Sequence, residues 1–294
     1  MGKQETFTVF SRISRLKLRN LINAALDEDI GSGDITSKLL IPQEFQTNAK
    51  VLVKTSGILS GSEVFKEVFS ILDPAIKIDI LLPDGSQINS GAVPIQLSGN
   101  AKHILAGERT ALNFLQRMSG IATATARLVS IAKRYGVQIN HIRKTTPLLR
   151  ALEIYSVRTG GGAYNRSGLF DGILIKDNHL ILAKKMGLSL PEVVGRCRID
   201  MPHTIKIGLE ITSLAELNDA IQAKPDYLIL DNMTLDEITK AVKYTNGRIP
   251  IDVTGSVNIS NLENIAATGV NMVGVGSITH SAPSLDMSME IEPD

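Results

Sequence analysis

The sequence has little of what several protein classes depend on. Its 294 residues contain no tryptophan, seven phenylalanines and five tyrosines, which argues against base-stacking surfaces and aromatic sugar platforms. The single cysteine, Cys197, cannot form a disulfide within the chain, so a disulfide-built secreted fold is excluded. No apolar stretch approaches the roughly 20 residues that a membrane helix needs.

Charge of one sign is also lacking, because 31 basic side chains face 30 acidic ones and leave a formal charge of +1. This balance gives no overall attraction for nucleic acid or membrane surfaces, and we expect neither as a partner. The five histidines lack the spacing of zinc ligands. The first residues contain no apolar signal core, and we therefore expect a cytoplasmic protein.

The first 135 residues predict a mixed α+β pattern. Helices are expected over residues 12–28 and 63–72, and strands over 49–54, 57–60, 76–82 and 93–98. The segment 102–135 is mainly helical in pattern, with an expected interruption at Ser119-Gly120.

Beyond residue 136, strand and helix signals alternate. Strands are predicted over 137–142, 172–175, 204–209, 226–230, 249–253 and 270–275, and helices over 149–159, 214–223, 235–244 and 259–267. This alternation predicts a parallel sheet with helical crossovers, open or closed into a barrel.

Polar or glycine-rich segments stand at the carboxyl end of each predicted strand. In chain order they are Arg143-Lys144, Lys176-Asp177, Glu210, Asp231-Asn232, Thr254-Gly255-Ser256 and Gly274-Val275-Gly276. In a parallel barrel these ends share one face, where the active sites of such barrels lie. We therefore expect one assembled site.

The residue types in this set point to anionic substrates. Arg109, Arg143, Lys144, Arg166 and Lys176 are candidates for binding carboxylates or phosphates. Carboxylates in such a cationic mouth, Glu210 and Asp231, are costly unless they hold a cation, and Mg²⁺ bound largely through substrate phosphates fits that need. The residues alone thus predict a barrel enzyme with phosphorylated substrates and Mg²⁺ assistance.

At these residues the chain resembles the quinolinate phosphoribosyltransferase family. The resemblance covers nearly the whole chain in family order: Ala25–Asp29, Gly33–Ser37, Gly107–Asn113, Ser119–Thr123, Arg143–Pro147, Gly160–Gly162, Lys176–His179, Leu230–Asn232, Thr279–Ser281 and Leu285-Asp286.

The resemblance implies an α/β fold of the type II phosphoribosyltransferase kind, with an N-terminal α/β sandwich over residues 1–118 and a C-terminal seven-stranded α/β barrel over 119–280. The tail 281–294 is expected to pack with the first domain. The resemblance also implies a homodimer, or a higher oligomer, whose active sites are shared between subunits.

The implied activity is that of a pentosyltransferase in NAD biosynthesis. The pyridine nitrogen of quinolinate attacks C1 of phosphoribosyl pyrophosphate, pyrophosphate leaves with Mg²⁺, and CO₂ departs to give nicotinate mononucleotide.

The resemblance also implies roles for individual residues. Lys144, Glu210 and Asp231 are the expected catalytic residues, and the two carboxylates are the expected metal site. The expected substrate-binding set is Arg109 (from the partner subunit), Ile142, Arg143, Lys144, Asn165, Arg166, Lys176, Glu210, Asp231, Thr254, Gly255, Ser256, Gly274, Val275 and Gly276.

Several positions depart from the family pattern, while the cations and both carboxylates are kept. The family usually has Thr at Ile142, His at Asn165 and Gly at Leu148, and it has the first Glu of a Glu-x-Glu strand at Gly208. Its usual Glu-x-Ser-Gly-Gly turn is here Asp252-Val253-Thr254-Gly255-Ser256, and Gly274 stands where Ser is common.

Two alternatives to the quinolinate enzyme stay open because of these departures. One is a paralogue of the same fold, such as the molybdenum-transport-associated type, acting on another aromatic acid. The other is a catalytically silent anion-binding protein. Lys176–His179 favours the quinolinate enzyme over the first, and the presence of both Glu210 and Asp231 counts against the second.

Overall fold

The structure, a computed structural model, describes residue 9 and residues 13–292. Its helices are α1 (Arg15–Ile30), α2 (Ile35–Leu40), α3 (Ser62–Leu72), α4 (Ala101–Ala132), α5 (Arg150–Thr159), α6 (Asp177–Lys185), α7 (Leu190–Ile199), α8 (Leu217–Gln222), α9 (Leu235–Thr245), α10 (Leu262–Ala267) and α11 (Ser277–His280). Its strands are β1 (Gln46–Val53), β2 (Gly57–Ile58), β3 (Lys77–Ile80), β4 (Gln87–Ile88), β5 (Ile95–Asn100), β6 (Gln138–His141), β7 (Ile173–Ile175), β8 (Ile207–Ile211), β9 (Tyr227–Asp231), β10 (Ile251–Thr254), β11 (Met272–Val275) and β12 (Met287–Ile291).

The chain forms two compact units. The first comprises residues 1–126, 146–161 and 281–294, and the second comprises 127–145 and 162–280. The predicted domain ranges 1–118, 119–280 and 281–294 stay a prediction; the compact units group 119–126 and 146–161 with the N-terminal part of the chain.

The first unit is built on an antiparallel sheet in the order β12-β1-β5-β3, so the tail strand β12 pairs with β1. Ser14 caps the amino end of α1: its hydroxyl accepts a hydrogen bond from the backbone N–H of Lys17 at 3.4 Å. Leu18 and Ile22 lie one helical turn apart, and both are fully buried in the core cluster that also contains Phe65 of α3.

Helix α4 runs unbroken through Ser119-Gly120, so the predicted interruption there is wrong. Gly120 instead allows the tail segment to pack closely against the helix. A Cβ on Gly120 would lie 2.0 Å from the carbonyl oxygen of Pro283, so only glycine admits the tail segment at this point. Ser119 is satisfied as well, since its hydroxyl accepts from the Ser60 N–H at 3.0 Å.

The second unit contains the predicted parallel sheet, in the order β6-β11-β10-β9-β8-β7. All six predicted strands are present, and the α/β fold class is confirmed. The seven-stranded barrel implied by the resemblance has one strand more than this sheet, and outside the named strands a single parallel bridge joins Ala163 to Asn140 of β6. Among residues 13–292 no ladder joins β6 to β7.

Three helices of the second unit, α6, α7 and α11, have no counterpart in the sequence prediction. A start signal for α7 is visible in the sequence: Ser189 precedes Pro191 and Glu192, and the Glu192 carboxylate accepts from the backbone N–H of Ser189 at 2.7 Å. None of the helices in the described part of the chain is long and apolar enough to cross a bilayer.

The loop before α5 holds Leu148 in the left-handed region, at φ 66°. This is a position at which the resembled family usually has glycine. The side chain is 85% exposed and contributes little burial to offset the strain of a Cβ at positive φ.

Replacing Leu148 with Gly should therefore raise the free energy of unfolding, by about 0.5–1 kcal/mol, because glycine adopts positive φ without the Cβ clash. Denaturant unfolding of parent and variant measures the change. Leu169→Gly is the matched control: this leucine is also exposed, at 77%, but is not at positive φ, so the same substitution should lower stability. Equal losses in both variants would contradict strain at Leu148.

Candidate active site

A cavity of about 460 Å³ opens at the carboxyl ends of the parallel strands. Because these ends converge on one face of the sheet, side chains far apart in sequence meet there. The lining residues are Ile142, Arg143, Lys144, Asn165, Arg166, Leu174, Lys176, Glu210, Ile229, Asp231, Asn232, Thr254, Gly255 and Ser256.

All predicted site residues line this cavity except Arg109 and the segment Gly274–Gly276. Arg109 is an exposed residue of α4, in the first unit. Gly274 and Val275 are buried in β11 and do not line the cavity. The roles assigned to the lining residues stay predictions.

Three lining residues are absent from the predicted set: Leu174, Ile229 and Asn232. The first two stand two positions before Lys176 and Asp231, so strand alternation places them on the same face as those side chains. Asn232 directly follows Asp231. The sequence could therefore have predicted all three as neighbours of the expected site residues. It does not indicate a chemical role for any of them.

Both carboxylates of the cavity have internal partners. Glu210, 7% exposed, accepts a hydrogen bond from the Lys176 ammonium in a close ion pair. Asp231 is held at both oxygens: its Oδ1 accepts from the Thr254 hydroxyl at 2.7 Å, and its Oδ2 accepts from the Asn232 amide at 2.9 Å. These bonds fix the direction in which Asp231 faces.

Three cations of the cavity are less fully compensated: the Arg166 guanidinium donates to the Gly172 carbonyl oxygen at 3.1 Å and is attracted by Asp171 and Glu210. Arg143, Lys144 and Arg166 form no ion pair with any carboxylate in the described residues. The buried Nε of Arg143 has no hydrogen-bond partner in the same part of the chain. Burial lowers the pKa of Arg166, and the nearby positive charge of Arg143 lowers it further. Like charges held together in this way favour the binding of an anion.

The loop that carries Arg166 is fixed by its own hydrogen bonds. Asn165 donates to the His141 carbonyl at 3.2 Å and accepts from the Arg166 N–H at 2.7 Å. Asp171 closes the loop by accepting from the Ser167 and Gly168 backbone N–H groups at 2.8 and 2.9 Å. Burial alone would raise the pKa of Asp171, but these hydrogen bonds, with one from Tyr164, hold that pKa well below its ordinary value.

The turn after β10 has a backbone that favours glycine at two consecutive residues. Gly255 has φ 92°, and a Cβ there would lie 2.2 Å from the Asn232 side-chain oxygen. Ser256 has φ 43°, at the position where the resembled family usually has its second glycine. The turn geometry is thus kept although one glycine is replaced.

Gly208 leaves room for an aromatic ring. A Cβ at this position would lie 2.4 Å from Cζ and 2.6 Å from the hydroxyl oxygen of Tyr227, the residue paired with it on β9. The glutamate usual in the resembled family therefore has no space in this chain, because the tyrosine occupies it.

A buried acid lies in β10, two positions before Thr254. Asp252 is 2% exposed, and its Oδ2 accepts from the Asn140 side-chain amide at 3.4 Å. Its Oδ1 has no hydrogen-bond partner in the described part of the chain. Burial raises the pKa of Asp252 to about 7, against the opposing effect of the Asn140 hydrogen bond.

We predict that Asp252 makes folding stability fall with rising pH. Because its folded pKa lies above the unfolded value of about 3.9, the protonated side chain contributes its full stability below about pH 4, and this contribution is lost as the pH rises to about 7. Asp252→Asn lacks this titration, so its free energy of unfolding should improve relative to the parent between pH 4.5 and pH 7.5. Denaturant unfolding at both pH values measures the difference; parallel pH profiles would rule out a titrating Asp252.

The site fits a metal ion brought in by a ligand better than a resident one. In the described part of the chain no three His, Cys, Asp or Glu side chains come together as a metal site. Both oxygens of Asp231 already accept hydrogen bonds, and Glu210 is paired with Lys176. Mg²⁺ suits such a site when substrate phosphates and water supply most of its ligands.

The chain is similar to known proteins over nearly its whole length. It is 38% identical over 279 residues to the probable nicotinate-nucleotide pyrophosphorylase [carboxylating] of Bacillus subtilis, covering 95% of each chain. It is 34% identical over 295 residues to the mitochondrial quinolinate phosphoribosyltransferase [decarboxylating] 2a of Nicotiana tabacum, covering 94% of this chain and 83% of that protein. The solved nicotinate-nucleotide pyrophosphorylase of Francisella tularensis superposes with a TM-score of 0.88 at 35% identity, covering 95% of this chain and 98% of that one.

Two family models also match. The N-terminal domain of quinolinate phosphoribosyl transferase matches residues 34–119, and the C-terminal domain matches residues 121–290, which include every residue that lines the cavity. With both domains matched in order, the chain belongs to the quinolinate phosphoribosyltransferase family.

Proposed function

We propose that this chain transfers the phosphoribosyl group of phosphoribosyl pyrophosphate to quinolinate with loss of CO₂, giving nicotinate mononucleotide and pyrophosphate for NAD synthesis. The observation that carries the proposal is the group of three cavity cations, Arg143, Lys144 and Arg166, that form no ion pair among the described residues. Quinolinate has two carboxylates and phosphoribosyl pyrophosphate has several phosphate oxygens, so together they supply the missing negative charge.

The side chains divide naturally between the two substrates. The guanidinium groups of Arg143 and Arg166 are suited to bind the quinolinate carboxylates bidentately, and Lys144 adds a point charge. Asp231, fixed by Thr254 and Asn232, is suited to accept from the ribose hydroxyls. Glu210 is suited to the same task and keeps Lys176 in place.

In the proposed reaction the pyridine nitrogen forms a bond to C1 of the ribose while the bond from C1 to pyrophosphate breaks. As CO₂ leaves, the electron pair of the bond between the ring and that carboxylate stays on the ring carbon, where the positive pyridinium stabilises it. A proton then bonds to this carbon in place of the carboxylate. The cations hold the acid in position for the first step. They also stabilise the negative charge that develops on the leaving pyrophosphate.

Mg²⁺ is part of this proposal as an ion carried by pyrophosphate. When bound, it supplies charge neutralisation for the leaving group. Asp231 and Glu210 are the residues that would hold it, together with the substrate phosphates.

The activity is tested with purified chain, phosphoribosyl pyrophosphate and Mg²⁺. Quinolinate should yield equal amounts of nicotinate mononucleotide, pyrophosphate and CO₂, whereas nicotinate, which lacks the second carboxylate, should react far more slowly. Turnover of a different aromatic acid in preference to quinolinate would reassign the acceptor, a result to which the departures at Ile142 and Asn165 point. No product with any acid would contradict the transferase proposal.

Arg143→Ala should raise the KM for quinolinate at least about tenfold, because a charge-assisted hydrogen bond contributes about 1.5–3 kcal/mol. Steady-state kinetics with quinolinate as the varied substrate measure the change. Arg134→Ala is the matched control, since this arginine pairs with Glu263 outside the cavity at 3.1 Å. An unchanged KM in a folded Arg143→Ala variant would remove Arg143 from the site.

We also propose a homodimer in which Arg109 completes the partner's site. The support is that Arg109 is exposed and does not line the cavity of its own chain, although the family pattern includes it. The cytoplasmic location expected from the sequence stays a prediction.

Mixing Arg109→Ala and Arg143→Ala proteins should then restore activity. In a mixed dimer one site carries both substitutions and the other carries neither, so random exchange in an equal mixture should return about a quarter of the parental activity. Product formation after subunit exchange measures this. Exchange shown by mass, with no activity gained, would contradict the shared site.

A further inference from the structure

Gly274 of β11, Thr254 of β10 and Ile142, which follows β6, lie next to one another beside the cavity. If Gly274 of β11 carried a Cβ, that atom would lie 2.8 Å from the Thr254 Cγ2 methyl and 3.0 Å from the Ile142 Cγ2 methyl. Carbon atoms in folded proteins pack at about 3.5–4.0 Å, so neither methyl can stay in place if position 274 has a side chain. The two methyl groups occupy the space that a side chain at 274 would need.

Thr254 cannot move aside without cost. Its hydroxyl donates to Asp231 Oδ1 at 2.7 Å, and the methyl and the hydroxyl are fixed to the same Cβ. A rotation about χ1 that takes the methyl away from residue 274 also takes the hydroxyl away from Asp231. The space at Gly274 and the orientation of Asp231 are therefore linked through one side chain.

We propose that Gly274 is a positioning residue for Asp231: by lacking a side chain it keeps the Thr254 methyl in place and so preserves the hydrogen bond from Thr254 to Asp231. The proposal deepens the proposed function and rests on it for its kinetic test. It assigns to Gly274 an effect on the substrate that Asp231 holds, phosphoribosyl pyrophosphate, and not a contact with a ligand.

The methyl group of Thr254 supplies the decisive variant. Serine at 254 keeps the hydroxyl and removes Cγ2, which is the atom closest to the Cβ position of residue 274. A Cβ at 274 should consequently be harmful when residue 254 is threonine and much less so when it is serine. Alanine is the substitution of choice at 274, because it adds the Cβ alone and no hydroxyl that could bond elsewhere.

The experiment compares the parent with Gly274→Ala, Thr254→Ser and the double variant. Gly274→Ala should raise the KM for phosphoribosyl pyrophosphate about ten- to hundredfold, the effect of losing a hydrogen bond to a charged group, with a smaller change in the KM for quinolinate. The double variant should recover most of this loss. Gly195→Ala is the matched control: nothing lies within 4 Å of its Cβ position, and it is outside the cavity, so activity should not change.

Thermal unfolding gives a second readout that needs no activity. The change in Tm caused by Gly274→Ala should be markedly less favourable in the threonine background than in the serine background. Equal Tm changes in both backgrounds, or a Gly274→Ala enzyme with parental KM values, would overturn the positioning role. An inactive parent chain would instead contradict the proposed function, and the Tm comparison would still decide whether Gly274 and Thr254 are coupled.

Discussion

The rest of the site depends on one constraint, the electrostatic repulsion among the cations that line the cavity at the carboxyl ends of the strands. Burial and then the positive charge of Arg143 lower the pKa of Arg166, and neither arginine forms an ion pair in the described part of the chain. Folding must supply the energy that keeps them together. The loop that carries Arg166 contributes to this energy, because Asn165 and Asp171 form hydrogen bonds with backbone groups of and around the loop. These bonds do not involve the charged groups of the cations.

The carboxylates differ from these cations, because other side chains of the cavity supply their partners. Glu210 is paired with Lys176, and each oxygen of Asp231 accepts one hydrogen bond, from a hydroxyl and from an amide. The cavity thus contains two kinds of charged group. The carboxylates are oriented before a ligand arrives, whereas Arg143, Lys144 and Arg166, which form no ion pair among the described residues, can pair with an anion that binds.

Much of this arrangement could be predicted from the sequence, because strand position and site position coincide in a parallel sheet. Apolar runs located all six strands, and the residue after each run located most of the cavity, including Lys176, Glu210 and Thr254. The sequence failed to predict features that depend on contacts with a distant segment of the chain. Gly120 looks like a helix break until Pro283 is brought against it, and nothing near Gly208 in the sequence announces the Tyr227 ring.

The Tyr227 ring has a consequence for the design of selective inhibitors. It occupies the space next to Gly208, where the family pattern places an acidic side chain. A compound that carries a cationic group for the acid of the family pattern would find no carboxylate at this position, because the Tyr227 ring fills the space. Compounds of that kind should therefore bind this chain more weakly than members of the family that carry the acid.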